Sequence, residues 1–105
     1  LKEGSSMVER IAPRPVISAM RDLGENLATW RKLRQLTVSQ LADRAGVSVA
    51  TVSRLEVGKG CTVESLFRIS RALGILKEMT EASDPFNSDV GRLRADNALP
   101  QRVRN

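Results

Sequence analysis

The sequence predicts an all-α fold: one five-helix domain with an N-terminal arm and a C-terminal extension. Three observations predict it. From Val38 to Val57 the chain reads VSQLADRAGVSVATVSRLEV, in which apolar residues recur at helical spacing, stop at Gly46 and then resume. Elsewhere Leu, Val, Ile and Ala recur in steps of three and four, and no alternation of period two is long enough for a strand. With Trp30, Phe67 and Phe86 as the only aromatics, a hydrophobic content of 41% in 105 residues implies one small, aliphatic core.

Residues 1–15 are polar and contain Pro13 and Pro15, which reads as a flexible arm. LKEGSS before Met7 reads as vector-derived. Pro15 suits the first position of a short helix, where its missing N–H costs nothing, and Val16, Ile17 and Met20 would then pack back on the domain. The first long helix is expected over Leu23–Leu36, from Leu23, Leu27, Trp30 and Leu33, with Asp22 as N-cap and Glu25 completing a capping box.

Thr37 and Gln40 form a second box for a helix over 38–45, with Leu41, Ala42 and Ala45 on one face. Gly46 ends it in a left-handed conformation. Ser48 caps a third helix over 49–56, anchored by Val52 and Leu55 with Val47 just before it, and Val57-Gly58-Lys59-Gly60 is a loop. Two short helices joined by a Gly-containing turn make a helix-turn-helix. Thr62 caps a fourth helix that ends at Leu73-Gly74, with Leu66, Ile69, Ser70 and Leu73 inward and Phe67 beside them. A fifth helix over 75–82 offers Ile75, Leu76, Met79 and Ala82. After Ser83-Asp84-Pro85, Val90, Leu93 and Ala98 give a weaker helical pattern with Ser88 as cap, stopped by Leu99-Pro100, before a basic, extended end. The chain thus divides into an arm (1–22), a domain (23–82) and an extension (83–105).

The net charge is +5, and residues 31–60 hold six Lys/Arg against Asp43 and Glu56. The basic excess falls on the helix-turn-helix and suits a polyanion, although a solvated basic surface would look the same. The chain has no histidine, no metal-ligand cluster and no phosphate-cradling glycine loop, since Gly58-Lys59-Gly60 lacks a strand-to-helix context. No catalytic residue, metal or cofactor is expected. The single cysteine, Cys61, excludes an internal disulfide, fits a reducing cytosol and reads as a packed or loop residue. No apolar run reaches membrane-spanning length and no signal peptide is visible.

Residues 23–60, LGENLATWRKLRQLTVSQLADRAGVSVATVSRLEVGKG, resemble the Cro/C1-type (XRE) helix-turn-helix family of phage and bacterial repressors, and the likeness continues through ESLFRISRALGI. It rests on Ala42, Gly46 and Val52, the AGVS turn, the TVSRLE helix and the glycine after it. It implies a lambda-repressor-like domain whose third helix enters the DNA major groove. Ala42 is then small because the third helix crosses close to it. The outer face of that helix is Ser48, Val49, Ala50, Ser53 and Arg54. By resemblance Val49, Ala50 and Arg54 take the base-reading positions, with Arg54 contacting either guanine or phosphate. Lys59 is either a phosphate contact or an exposed loop lysine.

The family often places Gln at the start of the second helix, where it reaches a phosphate. Here Val38 stands, so Thr37, Ser39 or the helix N-terminal amides must supply that contact. Arg31 and Glu56 match a family ion pair read as structural. The resemblance also implies a homodimer on a palindromic operator, with Ile75, Leu76 and Met79 at the dimer surface or, alternatively, completing the monomer core.

The segment DPFNSDVGRLRADNALPQRVRN, together with the Pro/Arg-bearing arm and the LGEN helix start, resembles HipB-like antitoxins, which accompany HipA-type serine/threonine kinase toxins. That second likeness implies an autorepressing, cytoplasmic, nucleoid-associated regulator, with Arg92, Arg94, Arg102 and Arg104 available to the kinase or to flanking DNA. A stand-alone or phage-type repressor without a toxin is the alternative.

Overall fold

The computed structural model describes residues 11–99, which form six α-helices and no strand. They are α1 (Arg14–Leu33), α2 (Val38–Ala45), α3 (Val49–Glu56), α4 (Val63–Leu73), α5 (Leu76–Glu81) and α6 (Asp89–Ala98), with a 3-10 turn at Pro85–Asn87. LKEGSS, Pro100, Arg102 and Arg104 lie outside the described residues.

The largest departure from expectation is α1. The arm helix and the first domain helix are one continuous helix beginning after Pro13, so Asp22 is mid-helix and caps nothing. No Pro interrupts residues 16–22, and Gly24 is held in the helix by close packing against α3, so nothing breaks the chain where the capping pattern suggested a start. Met20 packs back on the domain as expected, lining a cavity with Leu23, Leu55 and Leu66. Val16 and Ile17 remain exposed.

The end of α1 also differs. It stops at Leu33, three residues early, because Gln35 adopts φ +60° and turns the chain back. Leu36, not Leu33, therefore enters the core, while Leu33 is 67% exposed and Trp30 lies half-covered beneath the Arg34 guanidinium.

Four helix ends share one backbone lock. Leu36 N–H donates to the Arg31 carbonyl and Gln35 N–H to Lys32. The same pair of bonds recurs at Val47/Gly46 after α2, at Lys59/Gly58 after α3 and at Ile75/Gly74 after α4. This is the Schellman arrangement, which needs a left-handed residue and tucks the following side chain against the helix. Leu36 and Ile75 are accordingly buried and Val47 half-buried. Ile75 thus completes the core of the single chain, one of the two roles open to it, and α5 begins one residue later than expected. Three of the four left-handed positions are glycine and the fourth is Gln35. Gln35→Gly is expected to raise stability by about 0.5–1 kcal/mol by relieving the β-carbon clash, offset in part by a freer unfolded chain. Thermal melts check this, and a lower melting temperature counts against it.

The core joins Leu27 of α1, Leu41, Ala42 and Ala45 of α2, Val52 and Leu55 of α3, and Ile69 and Leu73 of α4. Ser70 is also fully buried, and its hydroxyl donates to the Leu66 carbonyl at 2.8 Å. Arg34 Nε closes the end of α4 by donating to the Leu73 carbonyl at 2.9 Å.

Beyond α5 the chain packs chiefly on itself. Ser88 Oγ caps α6 by accepting from Gly91 N–H at 2.9 Å. Arg92 folds back along its own unit, donating to the Phe86 carbonyl at 2.6 Å and to Asp89. Both described extension arginines are exposed; Arg92 is hydrogen-bonded within its own unit.

Candidate nucleic-acid interface

The outer face of α3 is built by its caps and anchors. Ser48 Oγ accepts from Thr51 N–H at 3.0 Å and shares a 2.8 Å hydrogen bond with the Thr51 hydroxyl, fixing the first turn. Val52 and Leu55 are buried, so the helix is rotationally fixed and Val49, Ala50, Ser53 and Arg54 are exposed together. Ser48 is exposed as well, but its oxygen is committed to the cap.

At the start of α2 both halves of the capping box form. Thr37 Oγ1 accepts from Gln40 N–H at 3.0 Å, and Gln40 Oε1 accepts from Thr37 N–H at 2.9 Å. The Thr37 hydroxyl proton stays available, and Ser39 is exposed. The first amides of α2 have no intrahelical acceptor and suit an anion. Val38 is half-buried against the core, so the position that usually carries a phosphate-reaching Gln serves packing here.

Arg54 and Lys59 line one shallow groove of about 420 Å³ with Thr51, Gly60, Cys61, Thr62 and Ser65. The lock after α3 brings them together, since Lys59 N–H donates to the Arg54 carbonyl at 2.8 Å. At the other three locks the residue in this place is apolar and tucked inward. Here it is a lysine and faces solvent. Thr51 and Ser65 were not anticipated on this surface. Thr51 stands three residues before Arg54 and so shares its helix side, while Ser65 stands three after the cap Thr62; both are legible only once the loop length is known. Partial burial pushes the Cys61 thiol above its ordinary value, so it is mostly protonated near neutral pH despite being exposed.

Arg31 holds the rear of α3. Its Nε and one terminal nitrogen donate to the two Glu56 carboxylate oxygens at 2.7 and 3.1 Å, and the other terminal nitrogen donates to the Leu36 carbonyl at 3.0 Å. The side chains are only 13% and 12% exposed. The hydrogen bond to Glu56 raises the Arg31 pKa further, against the lowering effect of burial. This fork joins the end of α1, the α1–α2 turn and the end of α3 in one node.

The remaining sequence candidates do not form a single surface. Leu76 and Met79 are half-buried beside Ile75, and Arg94 lies on α6. Among the described residues no group of histidine, cysteine or acidic side chains is arranged to hold a metal, and no helix is long and apolar enough to cross a membrane.

Comparison with known proteins agrees with this architecture. A family described as Helix-turn-helix matches residues 27–77. The HTH-type transcriptional repressor RghR of Bacillus subtilis (strain 168) is 34% identical, over 66% of this chain and 61% of that protein. The uncharacterized HTH-type transcriptional regulator RghRB of the same organism is 32% identical, over 81% of this chain and 56% of its own length. The chain therefore spans less than two thirds of the length of either relative. No solved structure matches it significantly. Residues 27–77, with their helices and turns, are an XRE-type helix-turn-helix region.

Proposed function

We propose that the chain is a sequence-specific, DNA-binding transcriptional repressor acting in the cytoplasm. One observation carries the reading: α3 is fixed by buried Val52 and Leu55 so that Val49, Ala50, Ser53 and Arg54 face outward, beside a groove that pairs Arg54 with Lys59. A helix of this exposure fits the major groove of B-DNA. Val49 and Ala50 suit thymine methyl groups and Arg54 suits guanine or phosphate. Ser53 sits between them, and Thr37, Ser39, the α2 amides and Lys59 suit backbone phosphates. The names of the two relatives support a role in transcription.

A single eight-residue helix contacts few base pairs, so the operator is read by two copies on a palindrome, with Leu76 and Met79 at the contact between them. In the finer reading the chain is a HipB-like antitoxin that represses its own operon and binds a HipA-like kinase. The self-packed unit after α5, with Arg94 exposed, supports a separate partner-binding piece.

The test is a titration of the full chain against DNA upstream of its own reading frame at two salt concentrations. Affinity falls steeply with salt, and Arg54→Ala weakens it by about 1–3 kcal/mol. Absent or salt-insensitive binding overturns the DNA reading. Copurification with the product of an adjacent kinase gene tests the antitoxin reading, and its failure leaves a stand-alone repressor.

A further inference from the structure

We propose that Gly24 is a positioning residue for DNA reading: by letting α1 touch the backbone at the end of α3, it sets the tilt at which α3 meets the groove. The inference rests on the DNA-binding reading above. Gly24 is buried in the middle of α1, where glycine is unfavourable for a helix and a small side chain would ordinarily serve better.

The reason for glycine lies across the interface. A β-carbon there would overlap the carbonyl oxygens of Leu55 and Glu56, the latter at 2.7 Å. These are backbone atoms at the last turn of α3, and they have no rotamer by which to move aside. The contact continues one turn earlier on α1, where a β-carbon on Gly58 would meet the Arg21 backbone at 3.0 Å. Along Arg21–Gly24, then, α1 lies directly on the backbone that runs from Leu55 to Gly58. Arg54 precedes this stretch and Lys59 follows it, joined by their 2.8 Å backbone hydrogen bond. The groove residues are thus held from behind by backbone contact, and Arg31 pins Glu56 about two helical turns further along α1.

Adding one methyl group at Gly24 requires the end of α3 to move from α1 by on the order of 1 Å to reach ordinary contact. An eight-residue helix is about 12 Å long, so this is a tilt of about 5°. Hydrogen bonds to base edges tolerate only a few tenths of an ångström. Phosphate contacts made by flexible lysine and arginine side chains tolerate more. The two kinds of contact therefore separate: a tilt of α3 costs sequence preference and spares the backbone-driven part of binding.

The experiment uses the full chain and duplexes that the wild type enriches from a random-sequence pool, with a scrambled duplex as reference. Gly24→Ala is expected to lose at least about tenfold of the preference for the enriched duplex, while the slope of log affinity against log salt stays within about one phosphate of wild type. Ile69→Val, a core substitution on α4, serves as the control for general loosening and keeps the preference. Retained preference in Gly24→Ala, or equal loss in both variants, overturns the proposal. If Gly24→Ala does not fold, Gly58→Asn, which tolerates the left-handed backbone and adds a β-carbon against Arg21 on the same contact, carries the same expectation and the same overturning result. If the wild type enriches no sequence, the DNA reading itself fails, and that outcome is seen before any variant is made.

Discussion

Glu56→Ala is expected to lower the melting temperature by more than 10 °C, whereas Asp43→Ala changes it little. Asp43 is exposed on α2. Glu56 is the last residue of α3, where the helix dipole disfavours a carboxylate, so helix preference alone would have alanine stabilise this position. The Arg31 fork reverses that expectation. Both Glu56 oxygens accept from Arg31, and both side chains are nearly nine-tenths buried. The Arg31 guanidinium does not deprotonate within a protein, so its charge persists when its partner is gone. Removing the carboxylate therefore leaves a charge stranded beside the core. Such truncations cost roughly 3–5 kcal/mol, and the residual exposure places this pair near the lower end. At about 4–8 °C per kcal/mol for a domain of this size, the shift is readily measured. Glu56→Gln keeps an acceptor and loses less. In a double-mutant cycle, Arg31→Ala recovers part of the loss in the Glu56→Ala background. Equal melting temperatures for Glu56→Ala and Asp43→Ala would sink the idea that this node holds α3.

Leu41→Ala is expected to cost about 3 kcal/mol, within the roughly 2–5 kcal/mol range for a buried leucine. Leu41 has no exposed surface, lies on α2 beside Ala42 and Ala45, and belongs to the same buried cluster as Val52, Leu55, Ile69 and Leu73. Its neighbours across α3 and α4 are fixed by helix locks and cannot collapse into the space. The loss should appear as a lower midpoint in urea with an unchanged slope, since the folded and unfolded surfaces hardly differ. Leu41→Met, which nearly conserves volume, should lose less than about 1.5 kcal/mol. A loss below 1 kcal/mol for Leu41→Ala would mean that the core is looser than its burial indicates.

The helix-turn-helix was legible in the sequence because its determinants are local. Thr37 with Gln40, the Ser48 cap and Gly46 each act within four residues, and all three stand at the helix ends. The Arg31–Glu56 pair, 25 residues apart, came from family likeness, since no spacing rule connects two separate helices. The start of α1 was misread because Asp22 and Glu25 imitate a cap in a stretch that nothing interrupts. Leu33 and Leu36 exchanged roles because the helical period, carried past Gln35, assumes a helix that has already turned back. The burial of Ile75, left open between core and surface, has a related cause: the residue after a left-handed helix end is drawn inward by the lock, which a periodicity count does not represent. The contact at Gly24 was invisible, because a glycine inside a helix signals close approach only when its neighbour is known.

The four repeated locks have a consequence for how such a chain can change over generations. Each connection among α1 to α5 is closed by main-chain hydrogen bonds, and these ask little of the side chains beyond one left-handed residue and, at three of the four, an apolar follower. Val49, Ala50, Ser53, Arg54 and Lys59 take no part in the core. Selection can therefore rewrite the outward face while the scaffold stays constant, and the letters that decide a target are free to drift apart in relatives whose helices superimpose.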